Sequence, residues 1–248
     1  MAAAPVPPAA VPAATPAPLS QGARIVNTFI APSRTFTDLR RSAQWWLPFL
    51  VTTILGWALV YVAEQKIGTQ KIMENALQAR PKAEAQYEKA TPEQRQTQIK
   101  ATGIIYYVAI PTILLIIWVI MAALQFGTLK FVADADISYS KTLAVIVYAA
   151  LPMALRNVLA IISVLAGVNA DGFNLNNPVA TNPAYFMNPA ENPFWYFIAS
   201  QVDVFLLWTL VLTAIGFATT GKAKTGTSFA IVIAWWVALT LIFATIFS

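Results

Sequence analysis

Five long apolar runs set the limits on what this chain can become. They cover residues 45–63, 103–126, 142–168, 194–218 and 228–247. About 20 apolar residues at a rise of ~1.5 Å each cross a hydrocarbon core of ~30 Å, so every run is long enough to span. Inside lipid no water satisfies the backbone, which makes each span a helix. Only 11% of the 248 residues are charged, against about 25% in soluble domains. The expected fold class is an all-α integral membrane protein with five transmembrane helices.

What lies between the runs completes the outline. Residues 1–19 are Ala/Pro-rich, with six prolines. They read as a disordered or polyproline-like tail, either a flexible spacer or a ligand for proline-binding modules. Residues 20–44 read as an interfacial amphipathic segment. Ile25, Val26, Phe29 and Ile30 share one apolar stripe, and Phe36, Leu39 and Ala43 form a second, with Arg34, Arg40 and Arg41 beside it. The same segment also serves as a basic flank for the first span. Residues 45–248 then form the membrane domain. Its first connection, 64–102, is polar and helix-forming, with Pro81 dividing it into a hairpin. Thr91, Pro92 and Gln94 make a helix start that leads into the second span. The third connection, 169–192, carries four Asn-Pro pairs and no Lys or Arg, and reads as an irregular ordered loop.

Two charges stand deep in the apolar runs. Arg156 lies one turn after Pro152, which breaks the third span, and Asp203 lies in the fourth, read as one continuous helix. An unpaired charge at that depth costs a few kcal/mol or more. Helical rise places the two at similar depth on consecutive spans, so they are expected to pair, with Asn157 and Gln201 beside them as supporting polar groups. The pair is either a structural bond between spans or a polar site in a wet groove.

Much chemistry is excluded by what is missing. The chain has no Cys and no His, so thiolate nucleophiles, imidazole bases and His or Cys metal sites are absent. An aspartyl protease needs two carboxylates at depth, and only Asp203 is there. No catalytic residues, no metal and no cofactor are expected. The net charge of +5 reads as topology and lipid contact, not as a nucleic-acid surface. Four basic residues in the N-terminal flank, with Lys130, Lys141, Lys222 and Lys224 in the short turns, put the N-terminus in the cytoplasm and the C-terminus outside. The seven basic residues of the first connection oppose that assignment.

Several short motifs, in order, resemble the Yip family of five-span membrane proteins, named for interaction with Ypt/Rab GTPases, and its bacterial branch in particular. They are Phe29-Ile30-Ala31-Pro32 with Phe36, Trp46-Leu47-Pro48, Ser138-Tyr139-Ser140-Lys141, and Tyr148-Ala149-Ala150-Leu151-Pro152. The Asn-Pro loop follows, then Asp203-Val204-Phe205-Leu206-Leu207-Trp208 with Gly216. The resemblance implies a cytosolic N-terminus, a bacterial inner membrane and a non-enzymatic scaffold or adaptor role in membrane organisation or traffic. It also implies a protein partner on the cytosolic face. The Asp-Leu-Tyr-Gly-Pro motif of eukaryotic members is absent, which puts a small GTPase partner in doubt. The competing reading is a small transporter or ion pathway built around Arg156 and Asp203. Such a pathway would need an oligomer, since five spans is small for a transporter.

Overall fold

The computed structural model describes residues 17–78 and 81–247; the calls on 1–16 lie outside them. Among the described residues the chain is helical, with no strand. Five helices are long and apolar enough to cross a membrane.

The N-terminal segment forms α1 (Gln21–Ile30) and α2 (Pro32–Asp38). The spans follow. The first is α3 (Trp46–Lys66), and the polar hairpin after it is α4 (Thr69–Gln78) and α5 (Pro81–Lys89). The second belongs to α6 (Pro92–Phe131), 40 residues long and so about 60 Å, twice a bilayer core. It opens on a capping box between Thr91 and Gln94. The third span is divided into α7 (Tyr139–Ala149) and α8 (Leu151–Leu165). Pro152 stands in the first turn of α8, where its missing N–H costs nothing to that helix but ends the previous one. Then come α9 (Pro193–Ser200), α10 (Val204–Gly221) and α11 (Thr225–Phe247).

The core is built around α7, whose residues Thr142 to Ala149 are all buried. Around it α6 turns inward only Trp118, Ala122, Gln125 and Leu129. That is one helical stripe. Ile104, Val108, Ile116 and Ile120 on its other sides are exposed, as lipid-facing residues are.

Two expectations need correction. Residues 194–218 are not one helix: α9 ends at Ser200 and α10 begins at Val204, with Asp203 as its N-cap. The apolar residues of the second amphipathic stripe, expected to face lipid, face protein instead. Phe36 and Leu39 are fully buried, and α2 packs against α10. The stripe faces protein because Gly216 of α10 offers no side chain. A Cβ there would come within 2.4 Å of Val145 Cγ1 and 3.0 Å of the Phe36 ring. Only on α1 do Val26 and Ile30 stay exposed.

A buried ion pair fixes the two N-terminal helices to each other. Arg24 Nη2 lies 2.8 Å from Asp38 Oδ2, both side chains being almost fully covered. The Arg24 carbonyl accepts from the Thr28 and Thr35 hydroxyls, each at 2.8 Å. Thr220 donates to the Phe36 carbonyl at 2.9 Å, and Arg40 donates to the Thr219 carbonyl. The N-terminal helices and the turns around 132–138 and 219–225 therefore share one end of the bundle. The hairpin and the Asn-Pro loop share the other, where Asn75 donates to the Ala170 and Phe173 carbonyls at 2.7 and 2.8 Å.

Candidate functional site

The site is a polar junction where α8, the start of α10 and the Asn-Pro loop meet. It begins with Asp203. A short polar side chain competes with helical backbone bonding, and here the competition opens the span. Asp203 Oδ1 accepts from the backbone N–H groups of Phe205 and Leu206 at 2.9 and 3.2 Å. Its negative charge also sits at the positive end of the α10 dipole, the favourable end.

The second oxygen faces the loop and α8. Asp203 Oδ2 accepts from the Thr181 hydroxyl and from Asn182 Nδ2 at 3.3 Å. Arg156 Nε stands 3.4 Å from the same oxygen. That approach is an ion contact rather than a hydrogen bond, since Nε has no hydrogen-bond partner. Arg156 Nη2 donates to the Asn176 carbonyl and to Asn177 Oδ1, each at 3.4 Å. Asn177 and Asn182 then exchange amide bonds at 3.3 and 2.7 Å, and the Val204 N–H reaches the Thr181 carbonyl at 3.1 Å. Asp203 is 2% exposed. At the break, Asp203 is covered by protein and the Val204 N–H is paired with the loop, whereas Val202 is exposed; irregular backbone persists at membrane depth where its polar groups are satisfied by protein.

The structure brings Arg156 and Asp203 together. The expected supporting residues are not the ones that support them, and this is a further correction. Gln201 donates to Ser200 Oγ at 3.0 Å. Asn157 Nδ2 lies toward Gly56, 4.0 Å from where a Cβ there would be. Both stand close to the pair in sequence, but Asn157 is turned ~100° from Arg156 around α8, and Gln201 closes α9 on the other side of the break from the α10 cap. Thr181, Asn177 and Asn182 take that role instead. The Asn-Pro repeats marked the loop as a turn-former, yet nothing in the spacing says which amides turn inward.

The motif residues divide between two tasks. Phe29 meets Trp208 ring to edge at 5.7 Å, and Phe36 fills the space above Gly216. Pro32 opens α2, and Phe205 gives its N–H to the Asp203 cap. Apart from this junction, Lys71 and Asp171 meet at 2.5 Å on the surface between α4 and the loop. The Asp171 hydrogen bond raises the Lys71 ammonium above its ordinary pKa. The stabilisation that comes from the charged Lys71 is present at neutral pH and is lost as pH rises through the raised value.

Fold and site together define a class: a five-span, all-helical integral membrane protein whose interior charges are spent on its own loop. The family model described as the Yip1 domain matches residues 26–246. The chain therefore belongs to the Yip family. No curated protein matches it, and no solved structure does.

Proposed function

We propose that this chain is a non-enzymatic scaffold or adaptor of the membrane, acting through a protein partner at the end of the bundle that carries α1 and α2. The observation behind this reading is the way the interior charges are used. Asp203 is almost fully buried and its oxygens are occupied by a helix cap and by loop donors. Such a junction holds a structure together and leaves little for a travelling ion to bind. The charge distribution points the same way. Of the Lys, Arg, Asp and Glu residues, those at the α1–α2 end leave the whole excess of +5, and the other end is balanced. A basic end favours the cytosolic side and contact with anionic lipid. In this reading the N-terminus is cytoplasmic, the C-terminus outside, and the membrane a bacterial inner membrane. Nucleic acid is not a partner, a small GTPase is doubtful, and self-association is compatible with the role.

Proximity labelling from the N-terminus tests the proposal. A reproducible set of cytosolic or membrane neighbours, absent for a chain lacking residues 21–38, supports it. Labelling of bulk membrane proteins alone counts against it. The transport reading has its own motivation: the third span is broken before Arg156, and the fourth at Asp203, which Arg156 meets. Flux of protons or small anions into liposomes that is lost in Arg156→Ala would favour transport over scaffolding.

A further inference from the structure

A pocket of ≈ 250 Å³ opens between α4 and the Asn-Pro loop, at the end of the bundle away from α1 and α2. Four carboxamides line it, from Asn75, Gln78, Asn174 and Asn177, with the tyrosines Tyr185 and Tyr196. Gln78 and Tyr185 are exposed at its mouth, while Asn75 and Asn177 are buried, each 6% exposed. Its one charged lining residue, Asp171, is matched by Lys71.

This lining has a definite chemical preference. With its single charge neutralised, the pocket does not select an anion or a cation. Asn75 and Asn177 are engaged by their own neighbours, whereas the exposed Gln78 offers both donors and an acceptor, so the natural match is a molecule whose groups also do both, and hydroxyls are such groups. Asn75 holds the wall in place: its amide nitrogen is taken by two loop carbonyls, which fixes its orientation. The tyrosine rings add apolar faces with negative π-density, suited to the weakly positive C–H face of a saturated ring.

We propose that this pocket binds a neutral pyranose unit, either a free sugar or the sugar headgroup of a lipid. Gln78 and Asn174 supply hydrogen bonds, and Tyr185 and Tyr196 supply ring contact. The proposal is independent of scaffolding, since it concerns the opposite end of the molecule.

Saturation-transfer NMR tests it, using the full chain in phosphatidylcholine nanodiscs, because sugar-headed detergents would compete. The probes are methyl hexopyranosides, with methylammonium and acetate as charged controls. Nanodiscs doped with a glucosyl diacylglycerol, read by protection of the pocket in hydrogen exchange, separate the lipid source from the free one. Transfer to pyranoside ring protons is expected, without transfer to the controls. Loss of one hydrogen bond in Gln78→Leu, at the exposed mouth, should weaken binding about fivefold. No transfer to any pyranoside together with no protection by the glycolipid overturns the proposal. So does equal transfer to the charged controls, or undiminished binding in Gln78→Leu.

Discussion

At the scale of single residues, the account turns on which neighbours an intramembrane charge keeps. Asn182 gives one hydrogen to Asp203 and another to Asn177. Asn182→Ala removes one donor from each of two buried acceptors and the acceptor that Asn177 Nδ2 uses, and should cost about 1–3 kcal/mol. Gln201→Ala removes only a local bond to Ser200 and should stay within about 0.5 kcal/mol. Thermal melts of the two variants in one detergent check the ranking, and equal losses would contradict it. Gly216 is the second sensitive position. Its missing Cβ is the space that Val145 and Phe36 use, and both are fully buried. Gly216→Ala overpacks that contact by about 1–3 kcal/mol. Gly127→Ala, with nothing within 4 Å of its Cβ, should leave stability unchanged or slightly raised. A melt in which the two variants behave alike would remove the close-packing explanation.

At the scale of elements, the parts that follow from period and composition were legible and the parts that follow from tertiary partners were not. The five spans, the polar hairpin and the Thr91 helix start each rest on local pattern, and the structure has them. The break before α10 was hidden because hydropathy averages over Asp203, whereas the helix responds to its capping oxygen. The burial of α2 was hidden for a related reason. An apolar stripe beside arginines looks alike whether it meets lipid or protein, and only Gly216 on a distant span decides between them. The motif with Phe29, Pro32, Phe36 and Trp208 was visible, but not that it docks α1 and α2. That docking has a consequence. Phe36→Ala empties a fully buried site and should cost about 3–5 kcal/mol, felt first where α2 meets α10. Hydrogen exchange should quicken across residues 21–38 and remain unchanged in α8. Uniform quickening would mean that α2 is no separable unit.

At the scale of the whole molecule, the bundle has two unlike ends. One carries α1, α2 and the lysine-bearing turns, and the other carries the hairpin and the Asn-Pro loop, joined by Asn75 and Lys71. The proposed orientation puts the first end in the cytoplasm. Because the chain has no cysteine, single-cysteine labelling reads this without background. In intact cells Gln78→Cys should react with an impermeant maleimide, and Lys222→Cys only after permeabilisation. The reverse pattern would invert the proposed orientation and move the scaffold surface to the other side.

The central claim is that Arg156 and Asp203 act as one unit holding the broken fourth span to the third and to the loop. A double-mutant cycle tests it most directly. Asparagine at 203 can still cap α10, so Asp203→Asn isolates the charge. Breaking a buried pair by removing one partner costs about 3–5 kcal/mol, because the other charge is stranded. Asp203→Asn and Arg156→Gln should therefore each lower the melting temperature in detergent, while the double variant regains part of the loss. Strictly additive losses would show that the two residues do not interact and would contradict the account.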